Sequence, residues 1–468
     1  MIDEIKQLIL LVVLTTPQVV SAQDSTLMAL IQTGIENNLA LKQKVLSYDK
    51  SMIALNEAKG LFLPEISINA RYTLAEGGRI IEFPVGDMLN PVYQTLNQIT
   101  TQMYEYGLTS EVFPIIRLEN EEIPFLREHE QETKASLIQP IFNSNVYYNY
   151  KLKQKMTVAE KVTVDAYRTT LIAEISKAYY NYRKSIGLQE ILTNTKALLD
   201  ENLRVSESLL RNDKVTGDAV FRAKAEIAKY EQQKAEADRM ENASLAWLNF
   251  LLNRPLETPV LLPASQAMLI PASALSECIS KASVSREELS QIAVWKDIAD
   301  TYIKMSKGSM LPTITGVVDY GFQGEEYKFS SDDDYLMASF VLKWTLFKGF
   351  TNQAKIKQAG IEKLILNEKE KEARQQIALE VTMAWYDLQT AVKKVESANT
   401  EEKALRDALH IISKKYKEGN ANYIEFLDGV TTYTNAGTNK VLAMYDFHIK
   451  YIELQRTTSS FIFSSIQP

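Results

Sequence analysis

The residues that could carry a reaction are few and scattered. Three histidines, His129, His410 and His448, lie far apart and show no metal-ligand spacing. The single cysteine, Cys278, leaves no intrachain disulfide and no cysteine metal cluster. Asp332, Asp333 and Asp334 could hold a cation through their carboxylates, but read first as an exposed acidic turn. There is no phosphate loop, no nucleophile beside its base, and no acid and base at a defined separation. The sequence therefore points away from an enzyme, a cofactor or a metal site, and the function must lie in what the elements build.

The 468 residues carry a formal charge of -7, which argues against a nucleic-acid partner, and 46% of them are hydrophobic. No stretch reaches the ~18 unbroken apolar residues of a transmembrane helix. Residues 8–14 form a short apolar core, and Val20-Ser21-Ala22 offers a small-residue cleavage site, so residues 1–22 read as a secretory signal peptide. Asp3 and Glu4 offset the positive start that such a segment usually has. No cysteine follows the cleavage site, which argues against a lipid anchor there.

Two stretches organise the rest. Residues about 145–212 hold no proline and one glycine, Gly187, with apolar residues every three or four positions (Leu171, Ile175, Ala178, Tyr182). Residues about 352–418 do the same through Val381, Trp385, Leu388, Val392 and Val395. Both are amphipathic helices far beyond the usual length, each roughly 100 Å at a rise of ~1.5 Å per residue. Each is preceded by the same event. A helical pattern over residues 25–59 stops at Gly60-Leu61-Phe62-Leu63-Pro64, and alternation then begins with Ile66, Ile68, Ala70 and Tyr72. Later, Gly308-Ser309-Met310-Leu311-Pro312 is followed by Ile314, Gly316, Val318 and Tyr320. Glycine after a helix, then proline, is a stop signal, and a period of two is a strand with one apolar face. The preceding helices also align without gaps, Ile31 with Ile279 and Asn37 with Ser285. An internal repeat follows.

The expected organisation is a first repeat over residues 23–252, with strands at about 64–74 and 134–142, a proline-rich connector at 253–275, and a second repeat over 276–468, with strands at about 312–322 and 335–347. Gln139 and Pro140 interrupt the second strand of the first copy and suggest an edge or rim position. Each long helix ends in a turn and returns: 212–218 leads into a helix reaching Leu252, and 416–422 into one reaching about Phe463. Thr216 and Asn422 are the expected N-caps. The loop between the first two strands, residues 75–133, is long and acidic, with enough apolar residues over 89–108 for a short helix. The corresponding loop of the second copy, 324–334, is short.

Four strands of about ten residues match the length of outer-membrane strands, yet four cannot close a barrel, and an open edge cannot face lipid. Closure needs other copies, and three copies give twelve strands. The apolar face then meets lipid, and the Ser, Asn, Thr and Lys face lines water.

The duplicated order, the paired Gly-x-x-Leu-Pro stops and the Tyr416-x-x-Gly419 turn resemble the TolC-like outer membrane efflux proteins over essentially the whole mature chain. The resemblance implies a mainly helical fold with a small β part. It implies a homotrimer with a 12-stranded β-barrel in the outer membrane and an α-helical barrel in the periplasm. It further implies a passive exit duct of a tripartite efflux or type I secretion system, neither enzyme nor cofactor-dependent. The partners it implies are a periplasmic adaptor and an inner-membrane pump or secretion ATPase. Tyr416 and Gly419 match the tip turn, and Asn420, Asn422, Asp213, Thr216 and Gly217 share the two tips as docking candidates. Glu425 and Asp428 fall where family members carry acidic rings at the periplasmic entrance; as ordinary charges they also suit a helix N-terminus. Ala421 stands where the family's best-known member has an arginine that ties the mouth shut, and Asp213 replaces the turn glycine in the first copy. The competing reading, a periplasmic coiled-coil scaffold or adaptor without a pore, accounts for the helices but not for four alternating strands.

Overall fold

A computed structural model describes residues 25–263 and 273–461. The expected signal peptide and Pro271 of the connector lie outside them. The chain divides into two compact units: a helical one (Met1–Leu55, Lys151–Ile303, Lys355–Pro468) and one holding the strands (Asn56–Tyr150, Lys304–Ala354).

The helical elements come in two matching sets. The first is α1 (Ser25–Asn37), α2 (Leu39–Gly60), the 68-residue α4 (Ser144–Arg211) and α5 (Gly217–Leu251), α3 being described below. The second is α6 (Leu275–Ser285), α7 (Glu287–Gly308), the 67-residue α8 (Thr351–Lys417) and α9 (Tyr423–Thr457). Within the helical unit each set buries its own core. Ile31, Leu171, Ile175, Tyr179, Leu248 and Leu252 close the first. Cys278, Ala282, Val381, Leu388, Phe447 and Leu454 close the second. These are the three- and four-residue steps visible in the sequence, turned inward because apolar stripes leave water together. Between α4 and α9 the backbones come close: a Cβ on Gly187 would lie 2.9 Å from Val441 Cγ1, and one on Gly437 3.1 Å from Ile191 Cδ1.

The helical run expected over 25–59 is in fact two helices, parted at Asn38, and the second copy parts at the matching Arg286. Asn38 Oδ1 accepts the Leu41 N–H (3.0 Å), so the asparagine caps the next helix while its Nδ2 donates to the Leu251 carbonyl. The glycine stops also differ from expectation. Gly60 and Gly308 are the last residues of α2 and α7, not residues beyond them, and neither has positive φ. The chain turns instead through Leu63 N–H to Gly60 O (2.9 Å) and Leu311 N–H to Gly308 O (3.0 Å), and Pro64 and Pro312, lacking N–H, cannot continue the helix. Gly308 answers to packing, since a Cβ there would meet Ser144 Oγ at 2.0 Å, whereas Gly60 faces open space.

In the other unit β1 (Glu65–Leu74), β4 (His129–Phe142), β5 (Thr313–Gly324) and β6 (Asp334–Lys343) form an antiparallel sheet in the order β1-β4-β5-β6. Pro140 therefore sits on an interior strand, not an edge, but at its rim: the pairing of β4 with β1 ends at Ile138, and the register against β5 slips just after Pro140, so the proline stands where the ladder is already ending. β6 ends at Lys343, short of the expected 347. The 75–133 segment is ordered: β2 (Ile80–Phe83) pairs with β3 (Glu121–Pro124), and α3 (Val85–Glu105) lies between them.

Candidate functional site

Two places gather the residues singled out by sequence, and each is built within one unit.

The first is the pair of turns at the ends of the long helices. Asp213 (φ 56°) and Gly419 (φ 79°) both take the left-handed conformation. Lys214 N–H reaches Leu209 O (2.9 Å) and Asn420 N–H reaches Lys415 O (2.8 Å), so the two turns close identically. An aspartate tolerates this backbone better than most side chains, which is how the first copy dispenses with glycine. The caps differ. Asn422 Oδ1 accepts the Glu425 N–H (2.8 Å), and its Nδ2 donates to the Glu425 carboxylate (3.1 Å), a reciprocal cap. Thr216 stands at the N-cap of α5 with extended backbone, but makes no cap bond. Its hydroxyl donates to the Asp218 carboxylate instead. Gly217 opens α5 with free space around it.

Tyr416 is not a surface docking residue: it is 2% exposed. Its ring stacks on Phe426 (centroids 4.9 Å apart), and its hydroxyl lies 3.0 Å from Ser206 Oγ on α4. Around it Leu199, Ala219, Ala223, Tyr423 and Val430 form a core shared by both copies, with Ala421 against its edge. Beside this core Lys417 reaches Glu201 on α4 at 3.3 Å. The Arg204 guanidinium holds the Glu201 carboxyl down to about 2 against the desolvation that opposes it, and Lys417 adds to the effect. Neither Ser206 nor Glu201 carried a sequence signal, because each partner lies about two hundred residues away. Glu425 and Asp428 are exposed, one helical turn apart on α9. An open groove of about 750 Å³ separates the turns, lined by Lys214, Thr216, Asp218, Arg222, Asn420 and Glu425 among others.

The second place is the four-stranded sheet. Its register sorts the side chains by face. Ile66, Leu137, Val318 and Ala338 stand in one row, and Ile68, Ala135, Tyr320 and Leu336 in the next. Ile68 and Leu336 are 78% and 73% exposed, so this apolar face has no cover among the described residues. The other face carries a polar ladder across all four strands. Arg71 meets Glu132 (3.4 Å), Lys134 meets Glu132 and Asp319 (3.3 Å each), and the Tyr335 hydroxyl donates to Glu132 (2.9 Å). Both edges, β1 and β6, are unpaired among the described residues. Where β6 ends, Trp344, Leu346, Phe347 and Phe350 are all exposed, and the Trp344 indole donates to Met310 O (3.1 Å). No described helix is long and apolar enough to cross a membrane. Among the described residues no cluster of three or more His, Cys, Asp or Glu could hold a metal. Asp333 is engaged in its own turn with Ser330.

Residues 278–459 match the family described as outer membrane efflux protein. Over 93% of its length the chain is 19% identical to the outer membrane protein TolC of Salmonella enteritidis and 20% identical to that of Escherichia coli K12, covering 82% of each. Among solved structures it is similar to the channel CusC (TM-score 0.74, 14% identity, 93% of this chain and 92% of that one). It is similar also to the CmeC outer membrane channel of Campylobacter jejuni (0.73, 14%, 93% and 86%) and to the open MtrE channel of Neisseria gonorrhoeae (0.71, 18%, 93% and 89%).

Proposed function

We infer that this chain, TolC-like in fold and a member of the outer membrane efflux protein family, is the exit duct of a tripartite export system, seated in the outer membrane and extending into the periplasm. The observation that carries this is the open sheet, apolar on one face and ion-paired on the other. An uncovered apolar face suits lipid, but two unpaired edges do not, because each exposed N–H and C=O there costs several kcal/mol. Further copies remove the edges: β1 of one chain beside β6 of the next turns four strands into a closed wall, and three chains give twelve. The Arg71, Glu132, Lys134 and Asp319 ladder then lines water. Transport is passive.

Entry is controlled at the turns. In one chain the Tyr416–Ser206 and Lys417–Glu201 contacts tie α8 to α4, so opening the entrance moves these pairs together or breaks them. Glu425 and Asp428, exposed and repeated around an axis, concentrate negative potential and favour cations. The groove between the turns is the docking place for a periplasmic adaptor, which joins the duct to an inner-membrane pump or secretion ATPase.

The test is fractionation and particle mass. Outer-membrane extracts should yield a heat-resistant species of three chains that forms conducting pores in planar bilayers. A water-soluble monomer without conductance rejects the reading and favours a poreless scaffold.

A further inference from the structure

The segment between β1 and β4 is the largest difference between the two repeats, and its helix α3 is two-faced. One face is pinned to the segment's own chain. Asn90 exchanges two hydrogen bonds with Leu118 (2.8 and 2.9 Å), and seven residues on Asn97 does the same with Ile116 (2.9 and 3.1 Å). Two asparagine side chains thus replace strand neighbours for an extended stretch and fix how α3 is turned.

The opposite face is a seam. Leu89, Val92, Leu96, Ile99 and Met103 step by three and four in turn, the spacing of a and d positions over consecutive heptads. They are 41%, 57%, 49%, 48% and 40% exposed, so nothing among the described residues covers them. We propose that the α3 helices of three copies pack on one another through this seam, forming a parallel three-helix coiled coil at the end of the barrel where β1 is joined to β4.

Three features choose another copy over any other occupant. Leucine at a with a β-branched residue at d favours more than two strands. The flanking e and g positions, Tyr93, Thr95, Thr100 and Gln102, are uncharged, so identical parallel helices meet without like-charge repulsion, while Asp87 and Glu105 fall away from the seam. Third, the segment leaves directly from β1, the sheet edge that must meet a neighbouring chain. Pro91 lies inside α3 and off the seam, so the helix is short and weakened near its start, and tethering to a shared wall supplies the high local concentration that such a helix needs. The proposal rests on the trimeric reading above.

It is tested by cysteine cross-linking of the full-length protein in membranes, the unaltered chain with its single buried Cys278 serving as control. Leu96→Cys should give covalent dimers with a short bis-maleimide, up to two chains of every three. Gln98→Cys, two residues on and off the seam, should give none. Particle mass is measured on the same samples. A three-chain particle in which Leu96→Cys gives no dimer, or in which both variants cross-link alike, overturns the coiled coil and leaves the channel standing. Full labelling of Leu96→Cys by a membrane-impermeant maleimide on intact cells overturns it too, by exposing the seam to the outside. A one-chain particle overturns both readings.

Discussion

Asn38 Nδ2 lies 2.9 Å from the carbonyl of Leu251, the last residue of α5, and Arg286 Nη1 lies 3.2 Å from the carbonyl of Thr457, the last residue of α9. The two donors hold the same place in the two halves of the chain, each at the break between two short helices. Arg286 additionally binds Glu288 and Glu380, so its buried charge is paired. The duplicated fold has kept a tie and changed its chemistry. Replacing Asn38 by Ala leaves the Leu251 carbonyl and the Leu41 N–H without their partner, an expected cost of about 1–3 kcal/mol. Arg286→Ala should cost more, because Glu288 and Glu380 each lose an ion pair with it as well. Thermal unfolding followed by circular dichroism in detergent measures both, and two variants as stable as the parent would show that the ties are not structural.

His448 gives the helical unit an acid limit. Burial, reinforced by nearby Arg183, pushes its imidazole down to about 4, and its ring stacks flat on Tyr180 at 4.5 Å. An unfolded histidine titrates near 6.5, so between pH 6.5 and 4 the unfolded chain binds the extra proton. Stability therefore falls as pH falls through that window, by about 3 kcal/mol for a shift of this size. His448→Phe should flatten the slope of stability against pH over pH 4–6.5, and an unchanged slope would rule this residue out as its source.

Glu201 works at lower pH. Its carboxyl is held near 2 by Arg204 and Lys417, so its contribution is complete above pH 4.5 and is lost as pH falls toward 2. Because the pair is partly exposed, the effect on stability is small, but the contact ties α4 to α8 beside the entrance. Glu201→Gln should raise single-channel open probability at neutral pH, where the pair is intact. Equal open probability in the two proteins would remove the pair from gating.

The close passage of α4 and α9 predicts a rescue experiment. Gly187→Val adds bulk where a Cβ alone already lies 2.9 Å from Val441 Cγ1, and overpacking of this kind costs about 1–3 kcal/mol. Shortening the opposing side chain should recover most of it, so Gly187→Val with Val441→Ala should melt nearer the parent than Gly187→Val alone. Additive losses would place the strain elsewhere.

Selectivity tests the entrance directly. Glu425→Ala with Asp428→Ala removes two exposed carboxylates per chain and should lower the cation-to-anion permeability ratio, read from reversal potentials in a salt gradient. An unchanged ratio would make them ordinary solvated charges of a helix N-terminus.

Much of this architecture could be read from the residues alone. Helices and strands announce themselves by local period, so the steps through Leu171 and Val381 and the alternation from Ile66 and Ile314 located the long helices and the sheet to within a few residues. Duplication made the reading stronger, since Pro64 and Pro312 mark the same event twice. The expectation of further copies also comes from local pattern, because four strands leave two edges wherever they are drawn.

What period could not supply is which residues meet across long separations. Tyr416 read as a tip residue, and only the crossing of α8 over α4 buries it against Ser206. Nothing local to Lys417 points to Glu201, which the fold brings beside it. Asn38 and Arg286 look like ordinary polar residues within helical patterns, and their work depends on the ends of α5 and α9 arriving beside them. The Arg71, Glu132, Lys134 and Asp319 ladder needs the register of three strands from both copies. The sequence determined where the long helices and the main strands run and which face is apolar, because those depend on neighbours two to four positions away. Only the tertiary structure decided the partners, because helix crossing and strand register are set by packing over the whole molecule.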